Sequence, residues 1–67
     1  MQISARNQLR ARIRSITLGD LMAELVLELA GQEIVALITR SSAEHMGLKV
    51  GDDVVAIVKS TEVMIGR

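Results

Sequence analysis

The 67-residue sequence predicts an all-β fold, a small five-stranded Greek-key barrel with one short helix between strands 3 and 4. Three observations predict it. Apolar residues alternate with polar ones from position 9 onward, which is the period of a half-buried strand. Two later runs are apolar on both faces, as expected of strands that are covered on both sides. Between these two runs lies a serine-rich segment with the signals of a short capped helix.

The first two strands follow from the alternation. Apolar side chains alternate with arginines from Leu9 to Arg14, and the parity switches at Ile16, which predicts a β-bulge near Arg14 and Ser15. Residues 21–29 also alternate, although their leucines and alanines favour helix as well. Because turn residues bracket this run on both sides, we interpret it as the second strand.

The remaining elements complete the barrel. Residues 33–39 and 53–59 are the two runs that are apolar on both faces, so we expect one face of each to pack on the core and the other on another subunit. Ser41 and Glu44 have the spacing of a capping box, and Gly47 is placed to end the helix in a left-handed conformation. Residues 62–65 are the fifth strand. This order is the layout of an oligonucleotide/oligosaccharide-binding (OB) barrel.

The composition predicts a single domain over residues 1–67 that assembles with itself. A core of this size supplies only about 3–5 kcal/mol. Disulfides cannot add to it because there is no cysteine, and the single His45 cannot make a structural zinc site. We therefore expect an obligate homo-oligomer. Nothing in the sequence is typical of a signal peptide or a membrane span, so we expect a cytoplasmic protein without a membrane partner.

Several classes of function are disfavoured. Barrels of this type bind nucleic acids by stacking bases on aromatic rings, and the chain has no Phe, Tyr or Trp. The formal net charge is zero, which suits a small anion better than a long polyanion. With no thiol, and with the only imidazole, His45, on a short helix, we predict no enzyme activity, no catalytic residues and no metal ligands.

Hydroxyl groups and cations at the ends of predicted elements are the candidate binding residues. A tetrahedral dianion is bound best by many neutral hydrogen-bond donors with limited charge. The start of the predicted helix would add free backbone N–H groups. From the residues alone, the alternative that these hydroxyls satisfy only their own backbone stays open. The candidates are Ser4, Arg6, Thr39, Ser42, Lys59 and Ser60.

Four motifs carry a resemblance to a known family, the Mop domain, and in particular to the stand-alone molbindins. The resemblance covers essentially all 67 residues in order and spacing. Arg10 stands where many relatives carry glycine, and Met46 where leucine is commoner. The motifs are Ser4-Ala5-Arg6-Asn7-Gln8-Leu9, Ile38-Thr39 followed by Ser41-Ser42-Ala43, Met46-Gly47-Leu48-Lys49-Val50-Gly51-Asp52, and Val58-Lys59-Ser60-Thr61.

The resemblance implies a homo-hexamer, a trimer of dimers, that binds molybdate or tungstate as its ligand between subunits and uses no organic cofactor. Carried over by motif, one subunit would contribute Ser4, Arg6, Lys59 and Ser60. The neighbouring subunit would contribute Thr39, Ser42 and the backbone amide of Ala43. The implied function is reversible storage or buffering of the oxyanion inside the cell.

Two other functions remain open from the sequence. Residues 48–54 also resemble part of the swapped-hairpin domain of AbrB-type transcription factors, and the arginines of the first strand could follow a nucleic-acid backbone. That resemblance is local and does not include the opening run of the chain. A third interpretation is an oligomerisation domain without a ligand.

Overall fold

The computed structural model describes residues 7–67, so the candidate ligands Ser4 and Arg6 lie outside the described residues. The elements, in chain order, are β1 (Asn7–Leu18), β2 (Met22–Leu29), β3 (Gln32–Thr39), helix α1 (Arg40–His45), β4 (Asp53–Val58) and a 3₁₀ turn (Ser60–Glu62). The α-helix and the 3₁₀ turn span six and three residues. Within this part of the chain, no helix reaches the length and apolarity of a membrane span.

The four strands form one antiparallel sheet in the order β3-β2-β1-β4. Three strands follow one another by short turns, and the fourth returns to lie beside the first, which is the Greek-key arrangement. The long return connection contains α1, so the short helix lies between strands 3 and 4. The predictions of an all-β Greek-key fold and of the helix position are confirmed.

The predicted bulge lies in β1. Ile13 pairs with Leu27 and Ser15 pairs with Val26, so Arg14 is the extra residue on the β1 side. The bulge restores the parity of the alternation. It keeps Ile13, which is 1% exposed, and Ile16 on the same face of the sheet.

The run that could have been a helix is strand β2, as predicted. It is joined to β3 by the two-residue turn Ala30-Gly31, with Leu29 paired to Gln32 on either side. Both turn residues have positive φ, 51° at Ala30 and 80° at Gly31. This is the type I′ geometry that matches the twist of a tight hairpin and that an alanine adopts only under strain.

The core is small and lies on one face of the sheet. In β3 and β4 the inward side chains are half-buried, whereas the outward Val35, Leu37, Val55 and Ile57 are 49–65% exposed. Residues 7–67 therefore cover only one face of these edge strands. A cavity of about 310 Å³ lies against the residues of β3 and β4. The buried side chains among the described residues are Ala11, Ile13, Ala23, Leu25, Leu27 and Ala43.

The helix begins earlier than predicted. Thr39, not Ser41, is its N-cap, because Thr39 has an extended backbone and its side chain accepts a hydrogen bond from the N–H of Ser42. Glu44 does not form the predicted capping box with Ser41, since its carboxylate pairs with the guanidinium of Arg40. Gly47 has φ of 62°, so the predicted left-handed end is confirmed.

The predicted fifth strand does not form within the described chain. Glu62 belongs to the 3₁₀ turn, where its N–H donates to the carbonyl of Lys59 at 2.9 Å, and residues 63–67 hold no strand. Met64 and Ile65 are 91% and 92% exposed. A strand needs a partner edge for its backbone hydrogen bonds, and residues 7–67 do not supply one to this tail. These residues therefore show four strands and no closed barrel.

Candidate functional site

Two of the predicted ligands, Thr39 and Ser42, form a hydrogen-bonded hydroxyl pair at the start of α1. Thr39 Oγ1 donates to Ser42 Oγ at 2.8 Å, and the N–H of Ser42 donates to Thr39 Oγ1 at 3.1 Å. Both residues are exposed. A hydroxyl has one proton to donate, so the proton of Thr39 is engaged while that of Ser42 remains free for a ligand. We call this arrangement the Thr39–Ser42 hydroxyl pair.

The backbone amides around this pair are mostly engaged. The N–H of Arg40 donates to the carbonyl of Leu21 at 2.8 Å, and that of Ser42 is taken by Thr39. Ala43 is buried. It is the fourth residue after the cap, which is the first position whose N–H donates to a carbonyl within an α-helix. Among the described contacts, the N–H of Ser41 is left without a protein acceptor. The sequence predicted free backbone N–H groups at the start of the helix but placed the cap at Ser41, two residues too late.

The other described candidates, Lys59 and Ser60, lie just after β4. Lys59 has an extended backbone and precedes the 3₁₀ turn, in which Ser60 is the first residue. Both are exposed, and Lys59 takes no part in the ion pairs found within residues 7–67. Lys59 therefore stays a candidate cation for binding an anion.

The register of the sheet separates these two halves of the candidate site. Lys59 follows Val58, which pairs with Asn7 at the start of β1. Thr39 pairs with Met22 in β2, beyond the other end of β1. The two ends of the twelve-residue β1 are eleven residue steps apart along the strand. One chain therefore presents the two halves at opposite ends of its longest strand.

Two of the three arginines of β1 pair with carboxylates. Arg12 Nε lies 3.4 Å from Asp53 Oδ1. Arg14 Nη1 lies 2.7 Å from Glu33 Oε2 and 3.9 Å from Glu28 Oε2. A nucleic-acid interface needs unpaired cations along one face, and this face alternates in sign. The Greek-key sheet also differs from the swapped hairpin implied by the local AbrB-type resemblance. Neither observation favours a DNA-binding module.

The described residues hold no group of three or more His, Asp or Glu side chains that could bind a metal ion. His45 is the exposed last residue of α1. An anion bound through hydroxyl, amide and ammonium donors is the chemistry that the described candidates can perform.

The similarities to known proteins agree with this chemistry. The TOBE domain model matches residues 3–65 of the chain. The chain belongs to the TOBE domain family. Molybdenum-pterin-binding protein 2 of Clostridium pasteurianum is 47% identical over 66 residues, which is 97% of each chain.

Two solved structures are similar as well. The molybdate binding protein from Sporomusa ovata is 42% identical, with a TM-score of 0.95 over 100% of both chains. The cytoplasmic molybdate-binding protein ModG, solved with molybdate bound, is 34% identical with a TM-score of 0.88, over 96% of this chain and 46% of that one. The family resemblance found in the sequence is confirmed, whereas the individual site residues stay predictions.

Proposed function

We propose that this protein reversibly binds molybdate or tungstate. The observation that carries the proposal is the exposed Thr39–Ser42 hydroxyl pair, in which Ser42 has a free proton to donate. Molybdate and tungstate are tetrahedral dianions whose oxygens accept several hydrogen bonds, and neutral donors bind them without the cost of burying many cations. Relatives named for molybdenum or molybdate binding match nearly the whole chain, which supports this ligand class.

The proposed site lies between chains. One chain contributes Lys59 and Ser60, together with Ser4 and Arg6 from outside the described residues, and its neighbour contributes Thr39 and Ser42. A backbone amide of the neighbour, that of Ala43 as implied by the family or that of Ser41 by the hydrogen bonding above, completes the donors. The division is supported by the separation of the two halves at opposite ends of β1.

We propose that the chain assembles into a homo-oligomer, a hexamer built as a trimer of dimers. The separation of the two halves of the site supports this assembly. The apolar tail Val63, Met64 and Ile65 is 49%, 91% and 92% exposed, and β3 and β4 are both edge strands. Exposed apolar surface and free strand edges are stabilised by covering them with another chain. We propose that the tail supplies the fifth strand of an OB barrel only in this assembly.

The proposed role is storage or buffering of the oxyanion in the cytoplasm, without catalysis. Binding between chains couples occupancy to assembly, because a ligand that binds only the oligomer stabilises it by mass action. Occupancy then follows the free concentration of the oxyanion.

Isothermal titration with molybdate and tungstate, with sulfate as the control anion, tests the proposal. We expect saturable binding of molybdate and tungstate. Sulfate should bind more weakly, because its smaller tetrahedron makes fewer contacts with the donors of the same site. Native mass spectrometry in excess molybdate should show anions bound to an oligomer and none to a monomer. A folded oligomer that takes up no molybdate or tungstate at low salt would refute the proposal.

A further inference from the structure

Arg40 lies in the chain between the candidate ligands Thr39 and Ser42, yet its guanidinium is directed to other partners. Its Nη1 donates to the carbonyl of Gly19 at 3.1 Å, and its Nε donates to the Glu44 carboxylate at 3.3 Å. The sequence analysis assigned no role to Arg40. These contacts engage two of the five N–H donors of the guanidinium within the protein.

The contacts of Arg40 fix the start of α1 to the turn between β1 and β2. Its backbone N–H donates to the carbonyl of Leu21 at 2.8 Å, while its side chain reaches the carbonyl of Gly19. Two hydrogen bonds to one three-residue turn, from the main chain and from the side chain, define both the position and the direction of the first helical turn. Among the six residues of α1 only Ala43 is buried, so the hydrogen bonds of Arg40 add to the packing of this one side chain.

Glu44 completes this arrangement one turn later. It is four residues after Arg40, where side chains on a helix face each other, and its carboxylate holds the guanidinium from the helix side. The Gly19 carbonyl holds the same guanidinium from the sheet side. Arg40 is half-buried, whereas Glu44 is exposed.

We propose that Arg40 is a positioning residue for the oxyanion site: braced by Glu44, it ties the Thr39–Ser42 hydroxyl pair to the β1–β2 turn. The inference rests on the proposed function, since it names what orients the donors of that site. Arg40 contributes through geometry and not through its charge. A side-chain brace of this kind acts on affinity in the way that the outer partners of a ligand set do.

If Arg40 acted on the dianion directly through its charge, one variant would change the binding affinity in the opposite direction. If the guanidinium attracted the dianion itself, removing the Glu44 carboxylate would free it and would also remove a negative charge, so binding would tighten. If Arg40 is a positioning residue, the same change loosens the brace and binding weakens. Glu44→Ala therefore separates the two roles, and alanine keeps the helix propensity of the position.

The experiment measures the molybdate dissociation constant and the melting temperature of the oligomeric wild type, Glu44→Ala and Arg40→Lys. His45→Ala is the matched control, since it changes the neighbouring exposed residue of the same helix. We expect Glu44→Ala and Arg40→Lys to weaken binding by about two- to tenfold, as for the loss of one or two exposed hydrogen bonds. His45→Ala should bind as the wild type does.

Tighter or unchanged binding in Glu44→Ala would overturn the inference, as would wild-type affinity in Arg40→Lys, which keeps the charge and loses the planar two-ended contact. If either variant fails to fold, the molybdate affinity of the other variant decides. Weaker binding than in the wild type supports the inference, and wild-type or tighter binding overturns it. If both lose the oligomer, Arg40 supports the fold in general and the inference is overturned. A wild type that binds no oxyanion would refute the proposed function itself, which is a different result.

Discussion

The side chains of Thr39 and Ser42 satisfy each other: Ser42 N–H donates to Thr39 Oγ1 at 3.1 Å, and Thr39 Oγ1 donates to Ser42 Oγ at 2.8 Å. One interaction caps the helix and the other leaves the Ser42 proton free. Capping and the proposed ligand binding would therefore be carried by different atoms of the same pair. Substitutions at the two positions should have separable effects.

Ser42→Ala should weaken molybdate binding about tenfold or more while changing stability by no more than about 0.5 kcal/mol. The substitution removes a hydroxyl donor to a charged ligand. It keeps the backbone N–H that Thr39 accepts, so the cap survives. Calorimetric titration and urea denaturation measure the two effects. Ser41→Ala is the control, and a larger loss of affinity there than at Ser42 would contradict the assignment.

Thr39→Val should lower both stability and affinity. Valine has nearly the same shape but no oxygen, so the cap is lost at a cost of about 1 kcal/mol, and Ser42 loses the partner that orients it. Thr39→Ser keeps the oxygen and should retain most of both properties. Urea midpoints with molybdate titrations provide the comparison, and equal losses in the two variants would argue against the hydroxyl as the cause.

Lys59→Ala and Ser42→Ala should complement each other when mixed. Each variant alone lacks one half of every proposed site. After the two are denatured together and refolded at equal amounts, about one site in four should contain both native residues, because its halves come from different chains. Native mass spectrometry with molybdate counts the restored sites. Sites formed within one chain would give none, so an absence of complementation would contradict the division between subunits.

Ala30→Asn should stabilise the protein by about 0.5–1 kcal/mol. Ala30 has φ of 51°, a left-handed conformation that costs an alanine free energy and that asparagine tolerates at this position of a type I′ turn. Thermal denaturation of the wild type and the variant measures the change. Ala30→Val is the control and should lower the melting temperature, because a β-branched residue adopts positive φ least readily. A lower melting temperature for Ala30→Asn would contradict the explanation.

Arg14→Gln should destabilise the sheet modestly, by about 0.5 kcal/mol after allowance for screening of exposed charges. Glu28 and Glu33 lie directly opposite each other in β2 and β3, and Arg14 lies near both carboxylates. Without it, two like charges face each other across the strands. The loss should shrink at high salt, and Glu33→Gln should recover it. Denaturation at two ionic strengths provides the measurement, and a salt-independent loss would show that the cause is packing.

Much of the architecture was accessible from local patterns. The alternation from Leu9 and its parity switch at Ile16 predicted β1 and its bulge, because the side chains of a strand alternate between faces regardless of what they pack against. Gly47 marked the end of the helix for an equally local reason, its positive φ. The fifth strand could not be predicted from local patterns, because residues 62–65 form a strand only if the edge of another strand lies close enough to pair with them.

The start of the helix was the clearest error, and its cause is tertiary. Ser41 and Glu44 have the right spacing for a capping box, but Glu44 is drawn to Arg40, and Arg40 is held by the Gly19 carbonyl. The partner of Arg40 in the β1–β2 turn is 21 positions earlier in the chain. No local pattern contains that contact.

The sequence by itself determined the all-β class, the strand order along the chain, the bulge, the place of the helix and the family, because periodicity, turn residues and motifs are properties of neighbouring positions. Tertiary structure alone decided that Thr39 caps α1, that Arg40 is directed to the β1–β2 turn, and that Lys59 and Thr39 lie at opposite ends of β1. The physical reason is that hydrogen-bond partners and distances depend on strand register. Register joins residues that are far apart in the chain.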